Sequence, residues 1–474
     1  MSLAERLAAS PAVAAAREAA AGFDAWIVGG AVREAALGHP VGDVDVAVAG
    51  DERALARAIA RRGRGVAFPL SERFGTWRAL AGDRSWGVDV TRLRAQDIEG
   101  DLALRDFTVN ALAVPLPALD PPLDPHGGLA DLERGLLRAV SERSFADDPL
   151  RVLRAARIAA GLGLEVEEGT LALARAAAPR AGEPAGERQL AELRLLISGP
   201  APVRGLELLD RLGATAHVLP EVEALRGVEQ NPNHHLDVHG HVIEVLRQLL
   251  GVERELERYA GERATELAAL LAEPLADEMT RGQALRLGAL VHDLGKPATR
   301  GERGGYVTFV GHDRVGAEIV GGLCRRLRTS AELRRHLQAL TLHHLRLGFM
   351  VWERPVSRRR VHAYLRATEP VAADVTLLSV ADRLAARGQG EVASEEVVSA
   401  HLELAREMIG AALDWRREGP PRLPLRGDEL ARELRIERGP ELGRLLRELE
   451  AAAYAGEVAT REEAVALARE LAAR

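Results

Sequence analysis

Two aspartates separated by one residue are the first groups in this chain whose spacing indicates chemistry. Asp43 and Asp45 flank Val44 in the run DVDVAVAG, and the two-residue period of a β-strand places both carboxylates on one face while the valines face a core. Two neighbouring carboxylates repel each other, and a bound cation offsets that repulsion. Mg²⁺, held by carboxylates together with a substrate phosphate, suits such ligands. Asp89, in the alternating run WGVDV, is a candidate third carboxylate on a neighbouring strand. A solvated strand end is the alternative for a DVD motif taken alone.

A pair of glycines lies between an apolar strand and a helix, shortly before these aspartates. Gly29 and Gly30 follow the run WIV. Because neither carries a β-carbon, a phosphate can approach the backbone N–H groups at the start of the helix. Arg33, one turn into that helix, adds a charged clamp. This pattern predicts a triphosphate site beside the aspartates.

A charged stripe follows in the segment DDPLRVLRAARIAAGLG. Its members recur every three residues and therefore share one side of a helix: Asp148, Arg151, Arg154 and Arg157. A guanidinium offers paired donors and a carboxylate offers paired acceptors, so Asp148 and Arg151 could recognise the hydrogen-bonding edge of a base without a template strand. An ordinary solvated helix face is the alternative for an isolated stripe.

Histidines and aspartates recur in the helical middle of the chain. The candidate metal ligands are His241, His292, Asp293, His312, His343 and Asp382. Mixed imidazole and carboxylate sets bind divalent transition ions well, and Mn²⁺ or Ni²⁺ is the expected ion. His239 is an alternative first ligand. Lys296, the only lysine in the chain, lies in the same run LVHDLGKPATR and could serve as a point charge for a phosphate.

The elements that must position these groups change character along the chain. Short β-rich runs alternate with helices up to about residue 143, and the pattern beyond is almost wholly helical. We predict an α+β head with a short mixed sheet, a helical neck that reads the base, a helical His/Asp domain and a C-terminal helical module. The predicted boundaries are 1–143, 144–224, 225–418 and 419–474.

Composition limits the class of protein. A chain of 474 residues with 47% hydrophobic residues is too long for a single core. One cysteine excludes a disulfide framework, and no apolar run reaches the length of a membrane span, so we expect a cytoplasmic protein with no membrane partner. The net charge of -7 excludes a uniformly basic surface, so any RNA contact must come from local arginines.

Five motifs taken in order, GGAVRE, DVD, RDFTVNA, DPHGGLADL and DDPLRVLRAARIAAGLG, resemble the bacterial-type (class II) tRNA nucleotidyltransferase and poly(A) polymerase family. The resemblance implies that Asp43 and Asp45 bind the catalytic Mg²⁺ and that Gly30 and Arg33 contact the triphosphate. It assigns ribose and phosphate contacts to Arg105, Asp106 and Asn110, and base reading to Asp148, Arg151, Arg154 and Arg157. The run LVHDLGKPATR and its flanks resemble the phosphohydrolases of the HD domain.

The chain departs from the family pattern at a few positions. Glu34 stands where the family usually has Asp, and Asp147 stands where Glu is common. Leu104 replaces the first of the two arginines that precede Asp106 in the family. The segment between DVTRLR and RDFTVNA is short, whereas CCA-adding relatives carry a longer, arginine-containing loop there. In this respect the chain resembles CC-adding enzymes.

We therefore expect transfer of CMP from CTP to the acceptor arm of tRNA, with a separate A-adding enzyme completing the end. AMP transfer from ATP by this chain, as in a full CCA-adding enzyme, remains open, as does a poly(A) polymerase of the same fold. An HD-type phosphohydrolase or nucleotide sensor is the alternative of a different class.

Overall fold

The computed structural model describes residues 1–71 and 75–473. The chain forms two compact units, Met1–Val218 and Leu219–Arg474. No helix in the described ranges is both long enough and apolar enough to cross a membrane.

The first unit combines one sheet with many short helices. Its strands are β1 (Asp24–Val28), β2 (Val44–Ala49), β3 (Val66–Ser71), β4 (Thr76–Leu80), β5 (Gly87–Arg92), β6 (Ala113–Pro115), β7 (Leu136–Leu137) and β8 (Glu165–Val166). Its helices are α1 (Leu3–Ala8), α2 (Pro11–Ala19), α3 (Gly30–Leu37), α4 (Glu52–Arg62), α5 (Ile98–Ala103), α6 (Gly128–Glu133), α7 (Ser144–Asp147), α8 (Arg151–Leu162), α9 (Glu168–Ala177), α10 (Gly186–Ser198), α11 (Pro202–Arg211) and α12 (Thr215–Val218), with 3₁₀ turns at Thr108–Asn110 and Ala178–Arg180.

The main sheet of this unit has the strand order β3-β4-β5-β2-β1-β6. Strands β2 and β5 run parallel, and the other neighbouring pairs run antiparallel. Alternation decides which side chains are buried: Val44, Val46 and Val48 of β2 are enclosed, whereas Asp45 faces outward. The sequence prediction for this strand is confirmed at the level of the fold, including the mixed character of the sheet.

Helix α8 likewise has one buried side and one more exposed side. Val152, Leu153, Ala156 and Ile158 are buried, whereas the arginines of the charged stripe lie on the other side, with a helical period of about 3.6 residues. The helix starts just after Pro149 and ends at Gly163, which adopts the left-handed conformation that favours glycine.

The second unit is helical apart from two short hairpins. Its helices are α13 (Pro220–Glu223), α14 (Val238–Arg254), α15 (Leu256–Ala260), α16 (Ala264–Ala272), α17 (Arg281–Val291), α18 (Lys296–Thr299), α19 (His312–Arg326), α20 (Ala331–His343), α21 (Arg346–Met350), α22 (Arg358–Thr368), α23 (Ala372–Ala385), α24 (Glu395–Glu418), α25 (Gly427–Leu434), α26 (Pro440–Ala455) and α27 (Arg461–Ala472), with 3₁₀ turns at Gly261–Arg263, Val351–Glu353 and Glu391–Ala393. The hairpins pair β9 (Pro274–Ala276) with β10 (Met279–Thr280) and β11 (Gly301–Arg303) with β12 (Tyr306–Thr308).

Most of the His/Asp residues in the second unit lie at or near helix ends. His292 and Asp293 directly follow α17, His312 begins α19, and Asp382 lies in the last turn of α23. The last three helices enclose a core of their own, built on Leu430, Leu445 and Leu449. An α+β head followed by helical domains is therefore confirmed, while the four predicted domain ranges remain predictions.

Candidate functional site

The two aspartates of the DVD motif lie at the start of β2. Asp43 precedes the strand, and Asp45 is paired in register with Asp89 of β5. The surrounding walls remove part of the water around Asp45, which raises the pKa of its carboxyl, and the charges of Asp89 and Asp43 raise it further against the opposing effect of Arg105. Closely spaced oxygen ligands whose charges repel one another are a fitting site for a divalent cation.

The predicted third carboxylate has a protein partner. Arg78 of β4 donates from Nε to Asp89 Oδ1 and from Nη2 to Asp89 Oδ2, both at 2.7 Å. This paired geometry is the strongest common form of a carboxylate–guanidinium contact. Asp89 therefore lies beside Asp45 as predicted, but its oxygens are already bound.

An open cavity of about 840 Å³ adjoins the outward face of β2. Predicted residues from both the glycine motif and the charged stripe line it together with Asp43 and Asp45: Gly29, Gly30, Arg33, Arg105, Asp106, Asn110, Asp148, Arg151, Arg154 and Arg157. The fold thus gathers groups that are more than 100 residues apart in the chain into one cavity.

The glycine motif is shaped by a close approach of Arg105. Gly29 has a φ of +69°, and a β-carbon there would lie 2.8 Å from Arg105 Nη1. Arg33 donates to the Asn110 side-chain oxygen and, at 2.7 Å, to Glu34. The positive charge predicted at the start of α3 is therefore present and held in place.

Asp106 and Asn110 form a buried link between the sheet and α8. Asp106 Oδ1 accepts from the Asn110 amide at 3.0 Å and from the Phe107 N–H at 2.8 Å, while its Oδ2 accepts from Arg154 Nε at 2.8 Å. Burial would raise the pKa of Asp106, but Arg154 and these hydrogen bonds hold it below its ordinary value. Asp106 thus remains a carboxylate that orients Arg154.

The arginines of α8 all have partners in this structure. Arg151 donates to the carbonyls of Leu104, Arg105 and Ser144 at 2.7, 3.2 and 3.1 Å. Arg154 Nη1 and Arg157 Nε donate to Glu192 of α10 at 3.0 and 2.6 Å. Asp148 accepts from Arg188 at 2.6 Å.

Two carboxylates in this region were not among the predicted site residues. Glu192 and Asp101 are both buried, and Asp101 binds Arg94 at 3.1 Å and Arg105 at 3.3 Å. Glu192 shares a helical face with Arg188 in the stretch GERQLAELRLLISG, which resembles the family's next motif, although the sequence did not assign it to the site. Nothing in the local sequence distinguishes Asp101 from an ordinary helix aspartate.

The second unit brings most of the predicted His/Asp residues into one buried cluster around Asp293. Donor atoms of His241, His292 and Asp293 lie within 4.8 Å of one another, and so do those of Asp293, His312 and His344. His241 Nε2 is 2.9 Å from Asp382 Oδ1. Burial would raise the pKa of Asp293, but His292 and Lys296 hold it well below its ordinary value.

Three of the histidines have the same orientation. The Nδ1 atoms of His292, His312 and His344 lie 2.9, 2.7 and 2.7 Å from the backbone carbonyls of Ala289, Phe309 and Thr341. Since a carbonyl can only accept, each Nδ1 donates to it, and Nε2 is the ring nitrogen that faces the cluster. The Nε2 atoms of His292 and His312 lie 3.3 Å from Asp293, and that of His344 lies 3.7 Å away. Backbone bonds of this kind commonly orient metal-binding histidines, so the donor set fits divalent ions.

The assignment of His343 as a ligand requires correction. The structure places His344 in the cluster, whereas His343 Nδ1 accepts from Arg346 at 2.9 Å. Consecutive helical residues point about 100° apart, so only one of the pair can face inward. The buried positions Leu337, Leu340 and Thr341 of α20 lie at helical spacing from 344.

Two further groups border the cluster. Lys296 Nζ lies 2.6 Å from Asp293 Oδ2 and donates to Gln230 at 2.7 Å. His234, which the sequence left unassigned, has its ring centre 4.6 Å from that of His241. Burial lowers the pKa of His234 to about 3, so its ring is neutral near pH 7.

Family models match three parts of the chain. Residues 25–138 match the poly A polymerase head domain, residues 163–225 match the probable RNA and SrmB-binding site of polymerase A, and residues 238–387 match the HD domain.

Curated relatives match nearly the whole chain. An A-adding tRNA nucleotidyltransferase of Deinococcus radiodurans is 37% identical, with 93% of this chain and 94% of the relative covered. A CC-adding tRNA nucleotidyltransferase of Thermus thermophilus is 34% identical, with 93% and 92% covered. Another CC-adding enzyme, of Geobacter sulfurreducens, is 31% identical, with 94% and 91% covered.

Solved structures share the fold. A CCA-adding enzyme in complex with CTP has a TM-score of 0.63 at 20% identity, with 99% of this chain and 97% of that chain covered. The Thermotoga maritima CCA-adding enzyme in complex with tRNA has a TM-score of 0.60 at 20% identity, with 100% and 99% covered. The motifs, the fold and the near-complete match to curated relatives agree: this chain belongs to the bacterial-type tRNA nucleotidyltransferase and poly(A) polymerase family, and it is a tRNA nucleotidyltransferase with an HD domain.

Proposed function

We propose that the chain adds cytidines to the 3′ end of tRNA, taking CMP from CTP with Mg²⁺ held by Asp43 and Asp45. The observation that carries this proposal is the single cavity shared by these carboxylates, the glycine motif and the charged face of α8. The tRNA 3′ hydroxyl oxygen forms a bond to the α-phosphorus and releases its proton to solvent, the bond from that phosphorus to the bridging oxygen breaks, and pyrophosphate leaves. When bound, Mg²⁺ supplies charge neutralisation for the phosphates.

The protein's own groups have distinct roles in this proposal. Arg33, held by Glu34 and Asn110, and the N–H groups at the start of α3 bind the triphosphate. Asp148 lines the cavity and offers a carboxylate to the amino group of the base, while Arg151 offers donors. Cytosine and adenine both carry such an amino group, so a hydrogen bond from it to Asp148 does not by itself distinguish CTP from ATP.

The proposed restriction to one type of base rests on the chain that follows β5. Only residues 93–97 separate β5 from α5. This connection is bound at both ends of its course: the Arg94 N–H and side chain donate to Asp101, and Asp97 accepts from the Gly100 N–H at 2.8 Å. Arg151 in turn donates to the carbonyls of Leu104 and Arg105, which follow α5. A short, bound connection leaves little freedom to reshape the base site, and we infer that it favours a single type of base.

The deciding experiment uses three tRNA transcripts: one lacking CCA, one ending in C and one ending in CC. Each is incubated with Mg²⁺ and either CTP or ATP, and the products are resolved at single-nucleotide length. We expect cytidine addition to the first two and no AMP addition to the third. Efficient AMP addition after cytidines would identify a full CCA-adding enzyme, and AMP addition without cytidine addition would match the activity named for the Deinococcus relative. Asp43→Ala and Asp45→Ala should each abolish incorporation.

We propose a metal-dependent phosphohydrolase activity for the second unit. The convergence of imidazole Nε2 atoms on Asp293 supports it, and Mn²⁺ or Ni²⁺ would supply Lewis-acid activation of a phosphate when bound. The test is release of phosphate from cyclic and 2′-phosphates in the presence of either ion. Absence of release with both ions would leave the cluster as a structural metal site.

A further inference from the structure

One wall of the nucleotide cavity carries polar side chains that are not assigned to CTP. In the proposed reaction the start of α3 binds the triphosphate and α8 contacts the base. The cavity is also lined by Thr76 of β4, Thr91 of β5 and Arg94, which follows β5. We call these three residues the β5 wall. Hydroxyls and guanidinium groups bind the phosphate and sugar oxygens of nucleic acids.

Strand register places the β5 wall beside the proposed metal ligands. Asp45 of β2 pairs with Asp89 of β5, and Thr91 pairs with Thr76 of β4. Alternate residues of a strand share a face, so Thr91 lies on the same face as Asp89 and Asp45. Two residues along a strand span about 6.6 Å. The sugar and phosphate of a single nucleotide can bridge that distance.

Asp101 holds Arg94 at this wall. Asp101 Oδ1 accepts from the Arg94 N–H at 3.0 Å and from its Nε at 3.1 Å, and Arg94 Nη2 donates to the Asp101 carbonyl at 3.4 Å. Asp101 is 3% exposed, whereas the Arg94 side chain is 43% exposed. In the described part of the chain, Arg94 Nη1 has no hydrogen-bond partner. The guanidinium is therefore fixed on one side and can donate to a ligand in the cavity.

The charges at the β5 wall favour an anion. Asp101 also accepts from Arg105 Nη2 at 3.3 Å, so two guanidinium groups share one carboxylate and one positive charge is left uncompensated. Burial would raise the pKa of Asp101, but the hydrogen bonds of Arg94 and the charges of Arg94 and Arg105 hold it below its ordinary value. Asp101 is therefore ionised near neutral pH and keeps Arg94 in place.

The two threonines add a hydroxyl proton to this wall. The Oγ1 atoms of Thr76 and Thr91 lie 3.2 Å apart, and either can be the donor. Because one proton suffices for that hydrogen bond, the second can be donated to an oxygen of a ligand.

We propose that the β5 wall binds the 3′-terminal nucleotide of the tRNA, with Arg94 on its phosphodiester and Thr91 on an oxygen of its sugar or phosphate. This inference rests on the proposed function, because it places the second substrate in the same cavity. The occupant follows from the reaction. Attack on CTP brings the terminal 3′ oxygen to the metal at Asp45, and the phosphodiester of the same nucleotide then lies one sugar away. A phosphate contact carries no sequence information, so it suits an end whose last base changes during addition.

The experiment compares Arg94→Gln with the unaltered full-length protein in CTP incorporation on tRNA lacking CCA. Since a hydrogen bond to a charged group is lost, we expect the KM for tRNA to rise roughly ten- to hundred-fold. The KM for CTP should stay within about twofold. Arg61→Gln is the matched control, because Arg61 is an exposed arginine of α4 outside the cavity lining, and it should change neither KM.

A change in the RNA tests whether Arg94 contacts that phosphodiester. A methylphosphonate in place of the last phosphodiester removes its charge and should raise the KM of the unaltered protein by a similar factor. With Arg94→Gln, the modified and unmodified tRNAs should have the same KM within about twofold, because both changes remove one interaction. Thr91→Val, which leaves Asp101 and Arg94 in place, should raise the KM for tRNA, and Thr91→Ser should restore it.

Additive losses from Arg94→Gln and the methylphosphonate would overturn the proposal. So would a rise in the KM for CTP as large as that for tRNA, since Arg94 would then serve the nucleotide. If the unaltered protein incorporates no nucleotide, the proposed function fails. The affinities of the same proteins for the two RNAs, measured by fluorescence anisotropy, then decide the role of the β5 wall separately.

Discussion

Buried carboxylates organise the arginines of the transferase cavity residue by residue. Asp106 binds Arg154, and Glu192 binds both Arg154 and Arg157. Arginine side chains are long and lose much conformational entropy when fixed. Holding them with carboxylates before the nucleotide arrives reduces the entropy that binding would otherwise cost, so these carboxylates act through the arginines.

Replacement of Glu192 should therefore affect both stability and nucleotide use. Glu192→Gln removes the charge shared by two arginines, and we expect a loss of roughly 2 kcal/mol in local stability, as is usual for hydrogen bonds between charged groups. Hydrogen exchange should become faster in α8 and α10, and the KM for CTP should rise. Glu183→Gln is the control, because Glu183 pairs with Arg180 on the surface and should change neither. Unaltered exchange in α8 of Glu192→Gln would contradict this account.

The different orientations of two adjacent histidines allow a direct test of which one binds metal in the second unit. His344 faces the cluster, and His343 faces Arg346. His344→Ala should reduce Mn²⁺ or Ni²⁺ content measured by mass spectrometry after dialysis, whereas His343→Ala should retain it. The opposite result would restore His343 as the ligand.

At the scale of elements, the junction between β1 and α3 depends on the absence of a side chain at Gly29. A methyl group there would meet Arg105 at 2.8 Å, and the φ of +69° also disfavours an L side chain. Gly135 has the same φ of +69°, with nothing within 4 Å of an added β-carbon. The two positions therefore share the conformational strain and differ only in the collision.

Gly29→Ala should lower CTP incorporation by displacing Arg105, measured as a rise in the KM for CTP at saturating tRNA. Gly135→Ala should lose a similar amount of stability, about 1 kcal/mol, and keep its kinetics. Equal kinetics in both variants would show that the position of Arg105 does not matter to nucleotide binding.

At the scale of the whole molecule, the two proposed metal sites lie in different compact units. Each site is built from elements of its own unit, so changes in one should leave the chemistry of the other intact. Asp45→Asn should abolish nucleotide transfer and keep the transition-metal content. Asp293→Asn should lose that metal and keep transfer within about twofold. Loss of both properties in either variant would show that the units depend on each other.

Local patterns in the sequence by themselves determined which faces of β2 and α8 carry the functional side chains, and they determined the family. The two-residue period of β2 and the three-residue spacing of α8 depend only on neighbours along the chain, so they predicted which faces carry Asp45 and the arginines. The motifs in their order were sufficient to predict the family, which the relatives confirm.

Only the tertiary structure decided which distant groups meet. The pairing of Arg78 with Asp89 depends on strand register, and the contact of Glu192 with α8 depends on helix packing. The choice between His343 and His344 depends on which side of α20 faces Asp293. Such contacts join separate elements, and their geometry is fixed by the packing of a whole unit, which no local spacing records.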